Sequence, residues 1–202
     1  MNVAVPGLVL NPASPGRLPA TRRALLLDRD GVINVNFGYV HTPDTTQWVE
    51  GIFDLCRAAQ AAGFGLVVVT NQAGIGRGLY TEAQFADYTL WMMDQLAAHD
   101  IEILRTYYCP HHPVAGLGEY RVECECRKPR PGMILAAASD LGIDLATSIM
   151  IGDKASDMLA ARAAGVGRCI QYDSDLRDCE RRNDVVYVDS LLQAQRVIQG
   201  SG

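Results

Sequence analysis

Apolar runs that stop abruptly on polar residues recur along this chain. Leu25-Leu26-Leu27 stops on Asp28, Gly65-Leu66-Val67-Val68-Val69 on Thr70-Asn71-Gln72, and Ser148-Ile149-Met150-Ile151-Gly152 on Asp153. Short continuous apolar runs predict strands buried on both faces. The aromatic and β-branched stretch from Ile103 to Cys109 predicts another strand, and 168–171 and 185–188 two more. Between them the period lengthens. Ile52, Leu55, Cys56 and Ala59 form the stripe of a helix over 50–62, which Gly63 ends. Thr81-Glu82-Ala83-Gln84 has the form of a capping box, opening a helix to about Ala98 with Trp91, Met92 and Leu96 in the core. Further helices are expected from Pro131 to near Gly142, over 154–164 and over 190–198. The stretch 35–48, broken by Gly38 and Pro43, and the glycine-rich 74–78 are expected as loops. Strands alternating with helices predict an α/β fold of three layers, a parallel sheet with helices on both faces.

The length of 202 residues and a composition that is 49% hydrophobic and 20% charged are those of an ordinary globular chain with a sizeable core. The expected division is an extended arm over 1–20, marked by Pro6, Pro12, Pro15 and Pro19, and a single domain over 21–202. A net charge of −5 argues against a nucleic-acid partner. No apolar run of about eighteen residues is present to cross a membrane, and no signal peptide is recognisable, so the expected compartment is the cytoplasm. The six cysteines are then thiols or metal ligands, with Cys56, Cys169 and Cys179 structural.

The polar strand ends carry the candidate chemistry. Asp28 and Asp30, spaced by two in extended chain, fall on one side, and Gly31 lets the backbone turn away. A polar turn with Asp-Gly as turn chemistry is the competing reading. In a parallel sheet the carboxyl ends share one edge, so Asp28, Asp30, Thr70, the Arg127-Lys128 pair and Asp153 converge. Three gathered carboxylates resist ionisation unless a cation sits among them, and hard oxygen ligands suit Mg²⁺. Thr70 and Lys128 add a neutral and a positive donor, which completes a Mg²⁺ site able to receive a phosphoryl group.

A second cluster is Cys109-Pro110-His111-His112, followed after Gly116 and Gly118 by Cys124-Glu125-Cys126. Three thiolates and one imidazole make the ligand set of a closed, structural Zn²⁺ site. A metal would explain how the weakly apolar loop 109–128 holds its shape.

The set Asp28-x-Asp30-Gly31, Thr70-Asn71-Gln72, Lys128-Pro129 and Gly152-Asp153-Lys154-x-x-Asp157 resembles, in content and order, the motifs of the haloacid dehalogenase (HAD) superfamily of phosphohydrolases. Stretches 28–34, 38–41, 70–74 and 107–133 are similar to its uncapped, zinc-loop, histidinol-phosphatase-like branch. The likeness implies a Rossmann-like HAD fold, and the intervals 35–50 and 72–103 leave no room for a cap domain. It implies that Asp28 is the nucleophile and forms an aspartyl-phosphate, and that Asp30 is the general acid and base. Mg²⁺ would be held by Asp28, the Asp30 carbonyl and Asp153, while Thr70 and Lys128 stabilise charge on the transferring group. It selects His111 over His112 as the zinc ligand beside Cys109, Cys124 and Cys126. It assigns substrate binding to Asn36, Phe37, Gly38, Tyr39, Asn71, Gln72, Ala73, Arg127 and Lys154. Asp157 either braces Lys154 or the metal's waters, or is a solvated helix carboxylate. The implied activity is a Mg²⁺-dependent phosphomonoesterase, a monomer acting on a small sugar with two phosphates, one of them gripped by Arg127. Histidinol-phosphate phosphatase is the nearest alternative. A polynucleotide 3′-phosphatase fits the acidic balance poorly, and a non-catalytic zinc module would not keep Asp28, Asp30, Lys128 and Asp153 together.

Overall fold

The computed structural model describes residues 6–14, 18–173 and 182–200. In chain order its elements are β1 (Gly7–Leu10), β2 (Arg23–Leu27), α1 (Ile52–Ala61), β3 (Phe64–Asn71), α2 (Ala73–Gly76), α3 (Glu82–Ala97), β4 (Ile103–Cys109), α4 (Gly132–Leu141), β5 (Ile149–Gly152), α5 (Ala155–Ala164), β6 (Arg168–Tyr172), β7 (Val186–Val188) and α6 (Leu191–Gln199). Among the described residues the strands form one sheet in the order β1-β4-β3-β2-β5-β6-β7. The strand carrying Leu25 to Leu27 is central, flanked by parallel neighbours β3 and β5.

Alternation along each buried strand sorts the core into two layers. Leu25, Leu27, Leu66, Val68, Ile149 and Ile151 face α1, α3 and α6, packing on Ile52, Leu55, Met92, Leu96 and Ile198. Leu26, Val67, Val69 and Met150 face α4 and α5, meeting Met133, Ile134, Ala137, Met158 and Ala161. Each fully buried Leu or Ile here is worth about 2 kcal/mol of apolar transfer, which is why strands with no polar face are stable only with helices on both sides. The expected capping box is present: Gln84 N donates to Thr81 Oγ1 at 3.1 Å and Thr81 N to Gln84 Oε1 at 2.8 Å. Met92 and Leu96 are buried on this helix, with Trp91 packed at the margin of the same core. Among the described residues no element forms a cap. The whole β3–β4 interval is spent on α2 and on α3, whose apolar face lies on the sheet.

Two expectations are corrected. The proline-rich arm contains β1, which pairs antiparallel with β4, so the sheet is not wholly parallel. An antiparallel strand can dock on the outer edge of a parallel set without a crossover helix, and Val9 packs there with Phe85 and Tyr108. The glycine-rich segment is not a plain loop. It holds the single turn α2, whose Gly74 lies against the Tyr80 ring and whose Gly76 N donates to Pro110 O at 3.1 Å. No helix among the described residues is long and apolar enough to cross a membrane. Cys56 and Cys169 are buried; Cys179 and Pro15 lie outside the described residues.

Candidate active site

The carboxyl ends of β2, β3 and β5 open on one cavity of about 320 Å³. Asp28 stays on the ladder, its N–H donating to Ile151 O at 2.9 Å, and the chain then turns back through Gly31 N to Asn34 O at 2.7 Å. Gly31 has φ +97°, and a Cβ there would run into the Asp153 carboxylate. The turn therefore requires glycine twice over, by conformation and by space. Asp28, Asp30, Asn36, Gly38, Tyr39, Thr70, Asn71, Gln72, Ala73, Lys128 and Lys154 all line the cavity, as do Gly74, Tyr80, Ser156 and Asp157. Phe37, 63% exposed, and Arg127, whose Nη1 donates to His111 O at 3.1 Å, do not. Asp153 faces an adjoining groove that it shares with Gly31, Asn36 and Lys154.

Lys128 is the electrostatic centre. It is 4% exposed, and its Nζ lies 2.9 Å from Asp28 Oδ1, 2.6 Å from Asp157 Oδ1 and 2.8 Å from Val69 O. All three ammonium hydrogens thus have acceptors, as a buried lysine requires. Burial would lower its pKa, but Asp157 and Asp28 hold it above the usual lysine value. Asp157 is only 1% exposed, so the solvated reading fails. Its second oxygen accepts from Lys154 N at 3.0 Å, closing the first turn of α5. Asp28 itself is pushed up to about 7 by burial, with Lys128 pulling the other way and Asp157 and Asp153 adding to the rise.

Asp30 is treated oppositely. Arg29 Nη2 reaches both its oxygens, at 2.8 and 2.7 Å, Asn34 Nδ2 donates to Oδ1 at 3.1 Å, and Gln72 Nε2 donates to Oδ2 at 2.9 Å. Burial alone would raise this carboxyl, but the Arg29 guanidinium and these donors hold it below the ordinary carboxylate range. Arg29 is wholly buried, donates also to Val40 O at 2.6 Å, and lies over the Phe85 and Tyr88 rings at 5.5 and 5.2 Å. Arg29, Asn34 and Tyr80 had no predicted role. An arginine between two acids signals charge pairing, but only the turn after β2 brings it onto Asp30.

Two groups of side chains could hold metal ions. Asp28, Asp153 and Asp157 offer carboxylate oxygens within 4.8 Å of one another. Asp153 Oδ1 is buried without a hydrogen-bond partner, and burial raises the Asp153 carboxyl, with Lys154 opposing and Asp157 adding. An orphaned buried oxygen beside the carboxylates of Asp28 and Asp157 fits a hard cation. In the second group the sulfurs of Cys109, Cys124 and Cys126 lie 3.3 to 3.5 Å apart. His111 Nδ1 lies 3.6 and 3.4 Å from Cys109 and Cys126. Four zinc ligands at tetrahedral corners have edges of roughly 3.7 Å, close to this arrangement. The Cys126 thiol lowers Cys109 to about 6, while Cys109 in turn drives Cys126 upward and burial raises Cys124. Three thiolates together therefore need a cation.

The family described as HAD-hydrolase-like matches residues 125–194. The chain is 54% identical over 144 residues to the D-glycero-β-D-manno-heptose-1,7-bisphosphate 7-phosphatase of Vibrio cholerae, covering 71% of this chain and 77% of that one. The enzyme of the same name from Escherichia coli K12 is also 54% identical over 144 residues, 71% of this chain and 75% of its own length. A solved D,D-heptose 1,7-bisphosphate phosphatase from B. bronchiseptica, complexed with magnesium and phosphate, superposes with a TM-score of 0.77 at 27% identity, over 89% of this chain and 99% of that one. With fold, polar edge and sequence in agreement, the chain belongs to the HAD-like D-glycero-β-D-manno-heptose-1,7-bisphosphate 7-phosphatase family.

Proposed function

We propose that this protein removes the 7-phosphate of D-glycero-β-D-manno-heptose 1,7-bisphosphate, a step toward activated heptose for lipopolysaccharide. The carrying observation is the meeting of Asp28, Lys128 and Asp157 at 2.6 to 2.9 Å, at the edge where Asp30, Thr70 and Asp153 also end. The substrate and its β anomer come from the relatives at 54% identity.

In this reading Asp28 attacks phosphorus and becomes an aspartyl-phosphate. Asp30, ionised in the resting site, takes up a proton as the anionic substrate binds, gives it to the departing sugar oxygen, and then takes one from the water that cleaves the acyl phosphate. Lys128, kept charged by Asp157, and the Thr70 hydroxyl meet the equatorial oxygens of the transferring group. Asp28, the Asp30 carbonyl and Asp153 would hold Mg²⁺, which would supply charge to offset repulsion between nucleophile and phosphate. Asn36, Gly38, Tyr39 and Ala73 surround the sugar, the exposed Phe37 meets it from outside the cavity, and Asn71 and Gln72 shape the wall behind it. Lys154 meets the phosphate that is kept, and Arg127, outside the cavity with Nη1 on His111 O, reaches that phosphate with its remaining guanidinium donors. Cys109, His111, Cys124 and Cys126 would hold a structural Zn²⁺, which would fix the loop that delivers Arg127 and Lys128. Three thiols this close would oxidise outside a reducing compartment, which supports a cytoplasmic enzyme. A monomer, and the domain limits 21–202 with the arm 1–20, complete the reading.

The test is phosphate release by purified protein with Mg²⁺ on both heptose bisphosphate anomers, fructose 1,6-bisphosphate and histidinol phosphate. The β bisphosphate should give the highest kcat/KM, by at least about tenfold. Preference for histidinol phosphate would replace the substrate and leave the chemistry standing, whereas no turnover of any ester would end the proposal.

A further inference from the structure

Tyr80 belongs to no sequence motif, yet its hydroxyl lies one side chain away from two of the proposed catalytic groups. The ring is 4% exposed, stacked on His41 at 4.4 Å and 15°, with Gly74 packed against it so closely that a Cβ there would overlap the ring. Its Oη donates to Gln72 Oε1 at 2.6 Å. Gln72, 2% exposed, spends both hydrogens of Nε2 on the site, one on Asp30 Oδ2 and one on Thr70 Oγ1, each at 2.9 Å.

The hydrogens dictate this direction. An amide turned the other way would put its carbonyl oxygen against the ionised Asp30 carboxylate, two acceptors with no proton between them. The phenol, which can donate, meets the carbonyl end and leaves the NH₂ for Asp30 and Thr70. Because the Thr70 oxygen accepts from Gln72, its own hydrogen stays available for a ligand in the cavity that Thr70 lines. A single amide thus reaches both the acid–base carboxylate, which Arg29 and Asn34 also hold, and the phosphoryl donor. We propose that Tyr80 is a positioning residue, orienting Asp30 and Thr70 through the Gln72 amide rather than by touching substrate. The proposal rests on the roles given above to Asp30 and Thr70.

Tyr80→Phe removes the hydroxyl and keeps the packed ring. On the heptose bisphosphate its kcat should fall about tenfold, with KM within about twofold of wild type. Gln72→Ala should lose at least as much, and the double variant no more than Gln72→Ala alone. A kcat for Tyr80→Phe within about twofold of wild type, or a double variant that loses the product of both factors, overturns the proposal. A second readout does not depend on the substrate. In ¹⁵N spectra the Gln72 side-chain hydrogens should exchange with water at least about tenfold faster in Tyr80→Phe than in wild type. Unchanged exchange overturns the relay even if the wild type hydrolyses none of the esters, a result that would by itself count only against the proposed activity.

Discussion

Asn71 grips the backbone of Lys128 from both sides. Its Oδ1 accepts from Lys128 N and its Nδ2 donates to Lys128 O, each at 3.1 Å, across a separation of 57 residues. The end of β3 and the loop beyond the cysteine cluster are thereby registered to one another. The ammonium is placed by its main chain as well as by its carboxylate partners.

Asn71→Ala should therefore act at a distance. We expect kcat to fall on the order of tenfold to a hundredfold as Lys128 loses its backbone clamp. The melting temperature should drop by a few degrees, for about 1 to 2 kcal/mol of lost hydrogen bonding. Steady-state kinetics and a melt check both. Unchanged kcat would show that Asp28, Asp157 and Val69 O suffice to hold the side chain.

Asp28→Asn should be inactive and no less stable. The surroundings of Asp28 lift its pKa to about 7, chiefly by burial, so the folded protein disfavours the anion relative to a neutral group. An amide of the same shape removes that cost, a trade of stability against function common at active sites. In magnesium-free buffer at pH 8 the variant should melt at or above the wild-type temperature. Residual turnover near wild type would remove Asp28 from the nucleophile's role.

Cys124→Ser should release stoichiometric zinc. The loss should lower the melting temperature by on the order of ten degrees and depress kcat with it, because Cys126 lies two residues before Lys128. Atomic absorption, a melt and an assay on one preparation decide the matter. Full zinc content with an unchanged melt would dismiss the staple.

Alkaline stability has a definite sign. Burial pushes Tyr80 and Tyr107 up to about 12 from an ordinary 10. Between these values the folded chain keeps both protons and the unfolded chain loses them. Folded molecules bind more protons there, so stability is intact below pH 10 and is lost as pH rises toward 12. Phenolate absorbance should show some of the eight tyrosines ionising only as the protein unfolds. Smooth titration of all eight before any loss of helical signal would contradict this.

Much of the fold was legible because its strands and helices carry their own signals. The span from Ile103 to Cys109 is rich in β-branched and aromatic residues (Ile103, Thr106, Tyr107, Tyr108), and the observed strand has those limits. The Thr81 capping box is local, needing no tertiary partner. By contrast β1 is four residues in a proline-rich segment, and only the free edge of β4 makes it a strand. In the candidate site the residue types could be read but their pairings could not. Asn71 and Gln72 line the cavity, and their amides are committed to Lys128 and to Asp30, Thr70 and Tyr80. Side-chain aim after a strand end depends on turns that have no periodicity, so spacing cannot supply it. Asp157, left open between two roles, is settled by Lys128, some thirty residues upstream of it and across the sheet edge.

The central place of β2 bears on how the chain is made. Leu25 pairs with Leu66 on one side and with Ile149 on the other. A nascent chain leaving the ribosome can zip the first partner early but must wait for most of its length to emerge before the second arrives. Until then the greasy flank beside Asp28 has no neighbour, which makes that interval the natural window for a chaperone, or for aggregation if none is at hand.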